Sequence, residues 1–88
     1  MLDYWVARAE GADDERATRD AMNYRPSSIW SQGGPIIDRE QISLKQFEDG
    51  GAYAYFVHRD ETASGTTALI AAMRVYVQAK IGEEVPGE

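Results

Sequence analysis

The chain has 88 residues, 43% of them apolar and including two Trp, five Tyr and two Phe; this suits one small hydrophobic core and argues against disorder. The formal charge of −6 opposes long nucleic acid, whose affinity comes largely from neutralised phosphates, but a few Arg side chains can still hold a small anion locally. There is no Cys, which excludes disulfides and thiolate sites, and no apolar run approaches the ~20 residues that span a bilayer.

In chain order, Asp3 is an N-cap candidate for a short helix through Glu10, ended by Gly11 in a left-handed conformation. Trp5, Val6 and Ala9 share its apolar face, and Trp5 is the expected anchor. Residues 12–23 are rich in helix formers, with Asp13, Asp14 and Glu15 where the helix dipole favours acids, although only Ala17, Ala21 and Met22 are apolar. This segment reads as a helix or a solvated loop. From Tyr24 to Pro35 the string YRPSSIWSQGGP reads as a structured loop: Pro26 disfavours helical geometry at Arg25, and Gly33-Gly34-Pro35 are breakers.

Residues 42–47 read as a strand, Asp49-Gly50-Gly51 as a turn and 52–58 as a second strand. Tyr53, Tyr55 and Val57 alternate with Ala54, Phe56 and His58, so both faces carry apolar bulk and partial cover on each is expected. Ser64, Gly65 and Thr66 supply capping chemistry for a helix over 67–81, which Gly82 stops. Leu69, Ile70, Met73, Tyr76, Val77 and Ile81 form its apolar stripe, with Arg74, Gln78 and Lys80 on the wet side. Residues 83–88 read as a solvated tail. The predicted fold is a single α+β domain over 1–88. Its small antiparallel sheet (a hairpin at about 42–58) is packed by the short N-terminal helix and the long C-terminal one.

Three blocks resemble the NinX-like proteins of tailed bacteriophages, a family known chiefly as a domain of unknown function. They are LDYWVARAEG (2–11), YRPSSIWSQGGPIIDREQISL (24–44) and GTTALIAAMRVYVQAKIGEEV (65–85), together well over half of the chain. The middle block, with Trp-x-x-Gly-Gly-Pro-Ile-Ile, is the most distinctive. One departure is Thr67, where the family tends to carry Pro. The resemblance implies a phage or prophage origin and a host-cytoplasm setting, and it implies no activity.

The segment from Tyr24 to Arg39 is the best candidate site. Tyr24 and Trp30 offer rings on which a nucleobase stacks. Ser27, Ser28 and Gln32 present hydrogen-bonding groups, the amides around Gly33 and Gly34 suit an anion, and Arg25 or Arg39 suits a phosphate. The bland alternative makes Trp30 a core anchor and Gly-Gly-Pro a tight connection. His58, the only histidine, has no nucleophile or triad around it in sequence, and the Asp13-Asp14-Glu15 run matches no metal loop. No catalytic residue, metal or cofactor is therefore assigned, and the chain is expected not to be an enzyme.

The leading expectation is a phage accessory protein that sequesters a small anionic host ligand. A nucleotide second messenger of anti-phage defence, of cyclic or ADP-ribose type, is the favoured class. The alternative is an acidic protein-interaction module. A small domain buries only about 60–65% of its unfolded surface, so a homo-oligomer is also expected.

Overall fold

The computed structural model describes residues 2–82. In chain order it contains α1 (Leu2–Ala9), α2 (Asp14–Asp20), α3 (Trp30–Glu40), β1 (Ile42–Gln46), β2 (Ala52–Phe56), β3 (Thr62–Gly65) and α4 (Ala68–Ile81). The strands form an antiparallel meander in the order β1-β2-β3. Ile42 faces Phe56 and Leu44 faces Ala54 across the first pair, and Ala54 faces Ala63 across the second. The α+β class and its two terminal helices are as the sequence indicates; the tail expected over 83–88 lies outside the described residues.

α4 is the central element. It touches all three strands as well as α1 and α3. Leu69, Ala71, Ala72, Met73, Val75, Tyr76 and Val77 are all buried, so the helix is apolar on most of its circumference rather than along one stripe. Burial of each larger side chain is worth ~1.5–3 kcal/mol before conformational entropy is subtracted. Thr67, not the Ser64–Thr66 run, caps the helix: its Oγ1 accepts the Ile70 amide at 3.1 Å. Ser64 and Gly65 belong to β3, a strand absent from the sequence reading, and Gly65 lets β3 approach α4 closely. A Cβ there would lie 2.8 Å from the Ala71 nitrogen.

Ala52, Ala54 and Phe56 point toward the helices. Tyr53 and Tyr55 point the other way and are half-buried, with ring centroids 5.7 Å apart. Val57 and His58 lie past the end of β2 in an exposed turn. α1 docks through Leu2, Val6 and Ala7, and Trp5, only partly buried, packs against the same core beside them. Gly11 ends that segment with φ +106°, in the positive region that glycine favours. Asp3 lies inside α1 rather than capping it, and its Oδ1 accepts the Ser27 amide at 2.9 Å.

The largest correction concerns the loop expected from Tyr24 to Pro35. Residues 24–29 are non-helical, with a turn at 26–28, but Trp30 begins an 11-residue helix that contains Gly33, Gly34 and Pro35. Tertiary packing overrides the local breakers. Ile36 is 2% exposed, and Gly33 is buried where α3 presses on Pro26 and Leu69. A helix that tolerates two glycines and a proline must be held from outside, and here the close approach of Gly33 does it.

Candidate functional site

Residues 12–23, helix or loop by sequence, resolve into a seven-residue helix with an N-cap. Asp13 accepts the Arg16 amide at 2.8 Å, and Asp14 and Glu15 occupy the first turn. Among the helices and strands, α2 contacts only α1. Buried Ala17 anchors it, and Asp14 fastens it by accepting the Tyr4 hydroxyl near Arg8.

This attachment leaves a cleft of about 640 Å³ between α1, α2 and the start of α3. Ala7 and Glu10 line the α1 side, Ala12 the link, Arg16, Arg19 and Asp20 the α2 side, and Asn23, Tyr24 and Gln32 the far wall. The size falls within the ~300–1,000 Å³ typical of small-molecule sites. Gln32 is held in place: its Oε1 accepts the Arg25 amide and its Nε2 donates to the Asn23 carbonyl at 3.4 Å.

The lining charges are two Arg and two carboxylates, and most are already committed. Asp20 lies 3.4 Å from Arg16. The Glu10 carboxylate accepts both terminal nitrogens of Arg39, at 3.1 and 2.6 Å, and also the Tyr76 hydroxyl. Arg19 has no carboxylate partner among the described residues. The four lining charges therefore balance, and the cationic character of the cleft rests on Arg19 rather than on a net excess.

Glu10, Arg39 and Tyr76 tie the ends of α1 and α3 to the middle of α4. Arg39 also donates to Glu40, which Lys80 approaches at 3.6 Å, and to Tyr76 at 3.1 Å. Burial pushes the Glu10 carboxyl up, but hydrogen bonds from Arg39 and Tyr76 and the charges of Arg39 and Lys80 outweigh it; its pKa sits below the ordinary value. Burial first, then the bond to Glu10 and its charge, hold the Tyr76 phenol well above its ordinary value. Burial and the Glu10 charge raise Tyr24 in the same direction, which places that phenol beside the network.

Of the residues singled out by sequence, Tyr24 and Gln32 meet in the cleft. Arg25 and Ser28 are exposed in the turn before α3, and the Ser27 amide is occupied by Asp3. Trp30 is 56% exposed but is not part of the cleft lining; it stands two residues before Gln32, about 200° around the helix. It is therefore not a core anchor. The Gly33 amide donates to the Ile29 carbonyl at 2.9 Å, so the expected nest of free glycine amides is replaced by helical hydrogen bonds. Arg39 is committed to Glu10. Sequence reasoning missed Arg16, Arg19, Asp20 and Asn23, although the i, i+3, i+4 spacing of the first three places them on one face of α2, with Asn23 in the turn that follows.

The described residues hold no cluster of His, Cys or acids suited to a metal, and no described helix is long and apolar enough to cross a membrane. The fold and cleft define a small α+β domain whose sheet is backed by a buried helix, with a polar cleft at its helical end. The chain belongs to the family described as Bacteriophage P22, NinX, whose model matches residues 1–80. No curated protein matches it.

Proposed function

We propose that this phage protein binds and sequesters a small anionic host ligand in the α1–α2–α3 cleft. A nucleotide second messenger of an anti-phage defence system, cyclic or ADP-ribose-like, is the favoured class, and the host cytoplasm is the setting. The carrying observation is Arg19, a cation without a carboxylate partner among the described residues, set in a ligand-sized cleft. Tyr24, Asn23 and Gln32 supply an aromatic ring and amide groups for the remaining polar edges. Trp30 and the glycine amides have no part in this version of the site.

The test is native mass spectrometry of the protein with a panel of linear and cyclic nucleotides and ADP-ribose. Retention of one class at a fixed stoichiometry, weakened about tenfold or more by Arg19→Ala, supports the reading. Failure to retain any of them at micromolar concentration counts against it. The same spectra report whether the protein is the homo-oligomer that its size favours.

A second reading, an acidic module that docks on a basic protein, draws on the −6 charge and on the exposed Trp30 and Val57 (56% and 70%). Host-protein capture that fades between low and high salt would favour it over ligand sequestration.

A further inference from the structure

Glu10 lines the cleft, and its carboxylate occupies the two-pronged face of Arg39. A carboxylate on that fork makes the contacts that a phosphate oxygen pair makes. We infer that Glu10 is an internal stand-in for the ligand's anionic group, and that binding swings it aside so that Arg39 closes on the ligand. This rests on the cleft being the ligand site, and it deepens that reading by naming the ligand's charged part as a phosphate or pyrophosphate and Arg39 as its seat.

Four features of the site carry the argument. Glu10 follows the last residue of α1, where the helix dipole disfavours an acid, so its position depends on Arg39 rather than on its own helix. It is followed by Gly11, a positive-φ residue without a side chain and with open space at its Cβ position, so this neighbour puts no side chain in the way of a moving carboxylate. The Glu10 side chain is 27% exposed and that of Arg39 50%, so neither is locked inside the core. Finally, Tyr24 of the cleft wall feels the charge of both Glu10 and Arg39, so the ion pair lies at the cleft rather than remote from it. Once Glu10 leaves, Arg39 still has Tyr76 and Glu40 to hold its orientation. The cleft would also gain one unit of positive charge from the ion pair's release.

The experiment is calorimetric titration with inorganic pyrophosphate and with ADP-ribose on the wild-type protein, Glu10→Gln, Arg19→Ala and Glu10→Gln/Arg39→Gln. Removing the carboxylate charge is expected to tighten binding about tenfold at an intermediate effective dielectric. The gain should vanish in the double variant. If Glu10→Gln gives no gain, or if the gain survives loss of Arg39, the stand-in role is overturned. Binding that still depends on Arg19 would then leave the cleft reading intact. No binding by the wild type or by Glu10→Gln removes both. Should the double variant not fold, the ¹³Cδ resonance of Glu10 in the wild-type protein gives the answer. Saturation with pyrophosphate must move it toward the position of an exposed glutamate, and an unmoved resonance overturns the inference.

Discussion

Replacing Gly33 by Ala sets two effects against each other. Ala favours a helix interior over Gly by ~1 kcal/mol, so propensity alone predicts stabilisation. The structure opposes this, because the new Cβ would lie 2.2 Å from the Pro26 carbonyl oxygen and 2.6 Å from Leu69 Cδ2. The first distance is ~1.2 Å inside ordinary contact. The carbonyl has little room to yield. Pro26 is fully buried, and the N–H of the same peptide unit is held by Asp3 through Ser27. Overpacking of this kind costs ~1–3 kcal/mol and here meets backbone, so a net loss of ~2 kcal/mol is expected. Gly34→Ala is the internal control. Its Cβ would meet only Trp30 Cε3 at 3.8 Å, so the helix preference should appear as a gain of ~0.5–1 kcal/mol. Urea denaturation followed by circular dichroism reads both, and thermal midpoints should fall by ~8–16 °C and rise by a few degrees respectively. Equal stability of the two variants, or a Gly33→Ala protein more stable than wild type, would refute the close packing of α3 and the helical account of Gly-Gly-Pro.

The Glu10 carboxyl is held below 4.5 when folded, so the folded state binds its proton less readily than the unfolded chain. The stability this supplies is fully present above about pH 4.5 and is lost as pH falls through the folded value; urea midpoints from pH 7 to 3 should decline less steeply in Glu10→Gln than in wild type. The groups facing Glu10 that set this slope are Arg39, Tyr76 and Lys80. Thr67→Ala removes the acceptor of the Ile70 amide at the head of the central helix and should cost ~1 kcal/mol in the same urea assay, with Thr67→Ser close to wild type.

Much of the fold was legible because local signals and tertiary need agree there. The alternation read over 52–58, the Asp-Gly-Gly turn and the apolar density of 67–81 each point to one structure, and each element is found, with β2 two residues shorter than its alternation. Where the two conflict, the sequence misleads. Gly33, Gly34 and Pro35 are breakers by every local rule, and only the contact of Gly33 with Pro26 and Leu69 reveals why the helix needs a glycine at position 33. β3 is a short TASG segment with little intrinsic strand preference, and pairing with β2 creates it. The candidate site was half legible. Tyr24 and Gln32 carry chemistry that points to the cleft they line, whereas Arg16 and Arg19 belong to a helix of thin apolar content whose polar face has no local signature. Arg39 reads as a phosphate-type residue, but its partner Glu10 is 29 positions away, a distance no local pattern spans.

The most direct test of the cleft as a ligand site is ¹H–¹⁵N correlation spectroscopy of the labelled protein during titration with ADP-ribose and a cyclic dinucleotide. The account predicts saturable shifts, for at least one of them, concentrated at Arg19, Asn23, Tyr24 and the Gln32 side-chain amide. An unperturbed spectrum with both ligands, or shifts gathered around Tyr53 and Tyr55 on the far face of the sheet, would contradict it.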